Sequence, residues 1–273
     1  MIKRLTITNR DNTSVEHGKE CFSSGDTFDF SEGLNVIYGP NGTGKSTLLH
    51  MLTTATFCLR GGVPYPKIDA YDKTCLEFAR RAKENTLGFE LDKDNGFCFY
   101  NDPSKKVGLI GGMAAFDNDF TLEGFNNIQR NKASQGQIQM STLLSFLSQI
   151  DEFKLRIPTP NDPIYKYVGT GEGRPTIILD EPDRNLDILI TSKVWNIIAS
   201  LSNIYQVIVV SHSVFGLAWK DANYIKLGDN HLKRFGIDSF YEHSLATIYQ
   251  LNSAFLGEKM SIPKEAHRPW IKK

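Results

Sequence analysis

The residues best suited to chemistry form the sequence Gly-Pro-Asn-Gly-Thr-Gly-Lys-Ser-Thr at positions 39–47. An apolar run precedes it and a leucine-bearing segment follows, which predicts a strand, a glycine-rich turn and a helix. Glycines let the backbone wrap closely around a phosphate, and N–H groups of the turn and of the helix N-terminus would face that anion. We therefore predict a nucleotide-binding loop in which Lys45 reaches the β and γ phosphates and Ser46 binds Mg²⁺. Its residues are Gly39, Asn41, Gly42, Thr43, Gly44, Lys45, Ser46 and Thr47.

Two carboxylates follow a second apolar run, residues 177–179. A carboxylate at the end of a buried strand can hold Mg²⁺ through its water shell, which suits Asp180. Glu181, one residue on, could polarise an attacking water as a general base. Taken alone, an apolar strand that ends in Asp-Glu is common and marks only a strand end that meets solvent. Together with the loop at 39–47, it favours the second half of a nucleotide site.

A histidine, His212, follows another apolar run at residues 207–210. A lone histidine at a strand end is usually structural. The spacing from Glu181 allows one helix and one strand to intervene, so we expect His212 beside the same edge of the sheet.

At this point the sequence resembles the ABC-type ATPase family. The family's Walker A, signature, Walker B, D-loop and switch-histidine segments are similar to residues 39–47, 133–137, 177–183, 185–187 and 209–213. The signature segment, Ala-Ser-Gln-Gly-Gln, retains Ser134, Gly136 and Gln137. Read without the family, Ser134 is simply a good helix N-cap.

The resemblance implies a fold and a mechanism. The fold is α/β: a P-loop NTPase with a mainly parallel core sheet, an antiparallel β subdomain and a small helical or irregular lid. Two copies would associate head to tail on ATP, each ATP lying between the phosphate loop of one copy and Ser134, Gly136 and Gln137 of the other. Asp187, in the D-loop segment, would also bind the nucleotide. Glu181 would activate water and His212 would contact the γ-phosphate. The implied cofactors are ATP and Mg²⁺, and the implied activity is ATP hydrolysis.

Two features depart from the family pattern. The glutamine usual between the Walker A and signature segments has no clear counterpart, so either Asp117, Asn118 or Asp119 replaces it or metal binding differs. The segment from Gln137 to Asp180 is also longer than the family pattern. Its prolines and glycines predict an extra excursion over 154–174, either ordered or mobile.

Strands that alternate with helices independently predict an α/β fold with a mainly parallel core. We treat residues 1–273 as one domain, with a β-hairpin and lid inserted at 61–133. The predicted strands are 1–9 (Met1, Leu5 and Ile7 on one side), 28–39, one within 175–183 that is followed by polar residues, and 206–213, with hairpins at 87–100 and 222–235. The predicted helices are 45–60, one starting at 134, one over 189–201 and one over 239–256.

Composition narrows the class of protein. Lys plus Arg and Asp plus Glu each total 31, so net charge points to neither a nucleic-acid nor a membrane partner. The four cysteines show neither a CxxC pair nor the spacing of a zinc site, so we expect them to be reduced thiols. The charged first residues do not resemble a secretory leader, and no apolar run approaches the ~20 residues that span a bilayer. We therefore expect a soluble, cytoplasmic protein without direct membrane insertion.

The partner is the open question. The stretch 28–47 looks more like the soluble branch related to structural-maintenance-of-chromosomes, RecF-like and overcoming-lysogenization-defect ATPases than like transporter subunits. This favours a DNA-directed role in DNA repair or anti-phage defence, with a separate effector protein such as a nuclease. Two alternatives stay open: the nucleotide-binding subunit of a membrane transporter, and a slow ATP-sensing switch that holds an effector. For the candidate DNA contacts, a solvated surface is the favoured interpretation; they are Arg80, Arg81, Lys83, Lys105, Lys106, Lys272 and Lys273.

Overall fold

The computed structural model describes residues 1–10, 21–58, 87–101, 167–168 and 172–228, together with residues 140, 143, 144, 146, 147 and 150. In chain order its strands are β1 (Ile2–Ile7), β2 (Thr27–Asp29), β3 (Leu34–Tyr38), β4 (Phe89–Lys93), β5 (Cys98–Asn101), β6 (Tyr167–Val168), β7 (Thr176–Asp180), β8 (Gln206–Ser211) and β9 (Asn223–Lys226). Its helices are α1 (Lys45–Cys58) and α2 (Ile188–Leu201), and a 3₁₀ helix covers Val214–Leu217.

The central sheet has the strand order β6-β5-β7-β8-β3-β9, and all its strands except β6 run parallel. Strands β3, β7 and β8 are apolar almost throughout and are buried along their length, as expected for a parallel sheet covered on both faces. The mainly parallel α/β core predicted from the sequence is confirmed.

Alternate residues of these strands pack into two separate cores. On one face Val36, Leu179 and Val209 pack with α2 and with the helical residues near 143–150. On the other face Ile37, Ile178 and Val210 pack with α1 and with β1. The chain therefore forms layers on both sides of the parallel sheet.

A second, antiparallel sheet has the order β2-β1-β4. The predicted inward side of β1 is wrong at its start, because Ile2 is buried there and Met1 is half-exposed. A register shift between Ile2 and Arg4 changes the alternation, and Leu5 and Ile7 then face inward as predicted.

The single strand predicted over 28–39 is two strands in different sheets. The break lies at residues 30–33, where the side chain of Asn35 closes a turn. Its Oδ1 accepts a hydrogen bond from Ser31 N at 2.7 Å, and its Nδ2 donates to Gly33 O at 3.1 Å. The chain thus leaves the antiparallel sheet as β2 and enters the parallel one as β3.

The hairpin predicted at 87–100 is also wrong, although both its strands exist. β4 pairs antiparallel with β1, whereas β5 pairs in parallel with β7. The burial patterns give the physical reason. β4 alternates and suits a sheet with one exposed face, while β5 is buried on both sides and suits the parallel core. The Asn95-Gly96 turn therefore carries the chain between sheets.

Two other segments differ from expectation. Residues 167–168, within the predicted excursion at 154–174, form edge strand β6 against β5. β9, predicted as the first arm of a hairpin, pairs in parallel with β3. Residues 154–166, 169–171 and 229–235, most of the predicted insertion at 61–133 and the helix predicted over 239–256 lie outside the described residues.

The predicted helices at 45–60 and 189–201 are confirmed as α1 and α2 within a residue or two where the structure describes them. One apolar position is wrong, because Leu189 is 73% exposed in the first turn of α2. The helix predicted from residue 134 is helical at the described residues between 140 and 150. No helix in the described part of the chain has the length and apolar character to cross a membrane.

Candidate functional site

Three neighbouring strand ends bring the predicted site residues together. Tyr38, the last residue of β3, is in register with Ser211 of β8, and Asp180 of β7 is in register with Val210 of β8. The carboxyl ends of these parallel strands therefore share one edge, with β8 in the middle. The loop at 39–44 follows β3 at this edge, and Glu181 and His212 follow β7 and β8.

The loop backbone depends on two glycines with positive φ, Gly42 at 78° and Gly44 at 92°. A Cβ at Gly44 would lie 2.7 Å from Cys21 Cβ and 2.8 Å from Phe22 Cζ, so this position also lacks space for a side chain. Left-handed backbone turns the loop sharply into the N-terminus of α1, where N–H groups can face an anion. Asn41 and Gly42 are exposed at the tip.

The end of β9 supports the loop from the other side, which sequence reasoning missed. Leu227 N donates a hydrogen bond to Tyr38 O at 2.9 Å. A Cβ at Gly39 would lie 2.4 Å from Leu227 O, and one at Gly228 would lie 2.2 Å from Thr43 Cγ2. The local signal in the sequence is a glycine, Gly228, two residues after the end of β9.

Lys45 lies buried across the loop. Its Nζ donates hydrogen bonds to Gly39 O at 2.8 Å and to Pro40 O at 2.6 Å. Burial lowers the pKa of Lys45 to about 8, and the negative charge of Glu181 partly opposes this effect. The geometry thus holds a cation beside the loop that has the backbone for binding phosphate.

Glu181 sits in strained backbone at the end of β7. Its φ is 42°, which is uncommon for a residue other than glycine, and its N–H donates to Val210 O at 2.9 Å. Glu181 Oε1 is 2.8 Å from His212 Nε2, and Glu181 Oε2 is 3.6 Å from Arg184 Nη1. The predicted proximity of His212 to this edge is confirmed, and Arg184 is a neighbour that the sequence did not indicate.

Asp187 has a structural task that the resemblance did not imply. It is the N-cap of α2, and its Oδ1 accepts hydrogen bonds from Leu189 N and Ile190 N, both at 2.9 Å. Such a cap satisfies backbone donors at the helix start. Its role toward nucleotide stays a prediction.

The remaining predicted site residues lie outside the described residues. They are Ser134, Gly136 and Gln137 of the signature segment, the candidates Asp117, Asn118 and Asp119, and the seven candidate DNA contacts. The roles assigned to them from the sequence therefore stay predictions.

The donor set suits Mg²⁺ held jointly with phosphates. Among the described residues no three His, Cys, Asp or Glu side chains converge to hold a metal ion by themselves. Mg²⁺ commonly binds one or two protein oxygens, with substrate phosphates and waters as the other ligands. Ser46, exposed in the first turn of α1, and Asp180, half-buried at the end of β7, provide a hydroxyl and a carboxylate of this kind on the same sheet edge.

Comparison with known proteins gives a family match over most of the chain. The family model described as an AAA domain matches residues 17–203. A protein of Pyrococcus horikoshii, named as an ABC transporter ATP-binding protein, is 23% identical over 233 residues, covering 80% of this chain and 79% of the relative. A similarly named protein of Pyrococcus abyssi is 22% identical over 232 residues, covering 80% and 78%.

Solved structures show a more distant likeness. A dimeric ATP-binding cassette in a post-hydrolysis state, bound to ADP and Pi, has 15% identity and a TM-score of 0.35, covering 80% of this chain and 90% of that one. The structure of cbiO1 from Clostridium perfringens, part of an ABC transporter complex, has 15% identity and a TM-score of 0.33, covering 84% and 88%.

Proposed function

The chain is an ABC ATPase-like ATP-binding protein that belongs to the AAA-domain family, and from this premise we propose that it hydrolyses ATP with Mg²⁺ as cofactor. The observation that carries the proposal is the meeting of three strand ends at one sheet edge. There the glycine loop and Lys45 lie on one side of His212, and Asp180 and Glu181 lie on the other. A phosphate chain needs a backbone cradle, a cation and a water-activating base close together, and this edge supplies all three.

The loop and Lys45 bind the triphosphate. Backbone N–H groups between Gly42 and Ser46 face its oxygens, while Lys45 leaves the carbonyl groups of Gly39 and Pro40 for the β and γ phosphates. Ser46 and Asp180 would hold Mg²⁺, which when bound would supply positive charge beside the phosphates.

Glu181 activates the attacking water. Its carboxylate is held from two sides, by His212 at 2.8 Å and by Arg184 at 3.6 Å, so it is aimed along the sheet edge. As general base it takes a proton from water, and His212, still paired with Glu181, contacts the γ-phosphate. The negative charge of Glu181 also favours the protonated form of Lys45 across the site.

The active form is a head-to-tail homodimer. Each ATP lies between the loop of one copy and Ser134, Gly136, Gln137 and Asp187 of the other. Support for this step comes from the similarity of residues 133–137 to the family signature and from the place of Asp187 at the start of α2, three residues beyond Arg184. ATP binding then closes the dimer and hydrolysis releases it.

Glu181→Gln tests hydrolysis and dimer formation together. Loss of a general base typically lowers turnover ~10²- to 10⁴-fold, so we expect ATP to bind and persist. Mass in solution should change from monomer to dimer only with ATP and Mg²⁺. The matched control Glu181→Gln/Lys45→Ala should stay monomeric. Full turnover by Glu181→Gln would refute the base assignment, and an unchanged mass would refute the ATP-dependent dimer.

For the partner we propose a DNA-directed protein, of the kind used in DNA repair or anti-phage defence. This rests on the similarity of residues 28–47 to the soluble ATPase branch. The transporter-subunit alternative fits equally well and is supported by the names of the two Pyrococcus relatives. A slow ATP switch that holds an effector is a third candidate.

Co-purification with the ATP-trapped Glu181→Gln variant separates these candidates. DNA or a DNA-acting protein in the complex would support the first, and an integral membrane protein would support the second. An inactive toxic effector that is released on ATP hydrolysis would support the third. The wild-type protein without nucleotide is the control for partners that bind regardless of the dimer.

A further inference from the structure

One carboxylate oxygen beside the site accepts two hydrogen bonds from different elements. Asp183 Oδ2 accepts from the indole Nε1–H of Trp195 at 2.7 Å and from the hydroxyl of Ser211 at 2.8 Å. Trp195 lies in α2 and Ser211 ends β8, and both are buried. Hydrogen bonds to an ionised acceptor are among the stronger ones in proteins, so Asp183 ties its own loop to both elements.

The hydrogen bond between Asp183 and Ser211 also concerns the backbone around His212. Ser211 Oγ, which donates to Asp183, accepts a hydrogen bond from Ser213 N at 2.9 Å. The Ser211 hydroxyl, which precedes His212, therefore also holds the backbone of Ser213, which follows it. This arrangement sets the direction in which the His212 side chain leaves the strand end.

The other side of Asp183 is Glu181, whose backbone needs support. A residue with φ of 42° persists only where its surroundings hold it there. Its N–H donates to Val210 O at one end of the turn, and at the other end the side chain of Asp183 accepts from the Ser211 hydroxyl. The turn at 181–183 is thus clamped onto the end of β8 at two points.

Trp195 cannot move away from Asp183 without moving its neighbours. A Cβ placed on Gly216, in the 3₁₀ helix, would lie 3.0 Å from Trp195 Cη2 and Cζ2, so the ring packs directly on that glycine. The indole is 1% exposed. It therefore presents its N–H to Asp183 from a fixed position.

We propose that Asp183 is a positioning residue that holds Glu181 and His212 at their 2.8 Å separation and so sets the aim of the general base. This inference deepens the proposed ATP hydrolysis and rests on it for its kinetic consequence. Its geometric consequence, the distance between Glu181 and His212, can be measured without nucleotide.

The kinetic test compares Asp183→Ala with Asp183→Asn. Alanine removes the acceptor, and we expect kcat to fall ~10- to 100-fold with KM for ATP changed less than about twofold, since small misplacements of reacting groups cost rates of this order. Asparagine keeps an oxygen that can accept from both Trp195 and Ser211, and it should restore most of kcat. Equal losses in both variants, or a change confined to KM, would overturn the proposal.

A double-mutant cycle with His212→Ala separates positioning from general weakening of the fold. If Asp183 acts through the Glu181–His212 pair, Asp183→Ala should lower the residual rate of His212→Ala by less than about threefold. Independent, multiplying losses would overturn the proposal. Where Asp183→Ala does not fold, Ser211→Ala takes its place in the same cycle; it removes one of the two donors to Asp183 together with the acceptor for Ser213 N.

Crystal structures without nucleotide test the geometry independently of activity. In Asp183→Ala, or in Ser211→Ala if that variant replaces it, Glu181 Oε1 and His212 Nε2 should move beyond hydrogen-bond distance. In Asp183→Asn they should stay within it. An unchanged distance in the alanine variant would overturn the inference. Absence of ATP hydrolysis by the wild type would instead refute the proposed function, and the crystallographic comparison would still decide the role of Asp183.

Discussion

At the scale of single residues, the decisive property of the site is the burial of a cation. The Lys45 ammonium is bound by two backbone carbonyl oxygens, which carry only partial charges, and burial brings its pKa down to about 8. A carboxylate partner in contact would have kept the pKa high. The lysine is therefore mostly protonated at neutral pH and loses its charge at mildly alkaline pH.

We expect the affinity for ATP to fall as pH rises through 8. Lys45 loses its proton there and phosphate binding favours the protonated form, so the association constant should drop by up to about tenfold per pH unit between 8 and 9. Calorimetric titration of the wild-type protein with a non-hydrolysable ATP analogue at pH 7, 8 and 9 measures this. In Lys45→Arg the side chain stays charged, and the slope should be absent.

The stability of the nucleotide-free protein should change in the opposite direction. Because the folded-state pKa of Lys45 is lowered below its ordinary value of 10.5, the unfolded chain binds more protons between pH 8 and 10.5. The free energy of unfolding contributed by this group therefore rises over that range. A comparison with Lys45→Arg in urea isolates the contribution. An identical pH dependence in both proteins, for binding or stability, would contradict the assigned pKa.

At the scale of elements, the phosphate loop is shaped by backbone that only glycine adopts readily. Gly42 and Gly44 both have positive φ, but they differ in the room available for a side chain. Nothing lies within 4 Å of a Cβ at Gly42, whereas Gly44 faces Cys21 and Phe22. Gly33, before β3, has neither constraint. Alanine substitutions at these three positions therefore distinguish the cost of backbone strain from that of steric clash.

Alanine substitutions should destabilise the protein in the order Gly33, Gly42, Gly44. We expect Gly33→Ala to stay within about 1 kcal/mol of wild type, since the backbone there is ordinary. Gly42→Ala should cost about 1–2 kcal/mol from left-handed strain alone. Gly44→Ala should cost about 3 kcal/mol or more because overpacking adds to that strain. Urea unfolding measures all three, and equal losses at Gly42 and Gly44 would contradict the clash with Cys21 and Phe22.

At the scale of the whole molecule, Gln206 joins the two sheets. Its Oε1 accepts from Ile2 N and from the Thr176 hydroxyl, both at 2.8 Å. Its Nε2 donates to Ile2 O at 2.6 Å and to Ser31 O at 2.8 Å. The side chain is fully buried, and all four contacts cross between segments far apart in sequence.

Replacing Gln206 with methionine should cost at least about 3 kcal/mol. The shape is largely kept, but buried backbone groups of Ile2 lose their partners, and each unsatisfied group costs ~1–3 kcal/mol. Asn203→Ala is the control, since it removes one local hydrogen bond to Ser200 O and should cost about 1 kcal/mol or less. Similar unfolding free energies for both variants would show that Gln206 does not join the sheets.

Local sequence determined much of this protein. The glycine loop, the apolar strands β3, β7 and β8 and the helices α1 and α2 were all predicted, because each follows from backbone preference or from apolar spacing within a short segment. The shared edge of Glu181 and His212 was predicted too, since parallel strands place their carboxyl ends together.

Only the tertiary structure decided which strands share a sheet and which polar groups meet. The segments 28–39 and 87–100 each divide between the two sheets, because pairing depends on partners distant in the chain. The roles of Asp183 and Gln206 likewise follow from donors 12 to 204 residues away. Sequence patterns report which residues prefer burial and turns, whereas hydrogen-bond partners are set by how the buried layers pack.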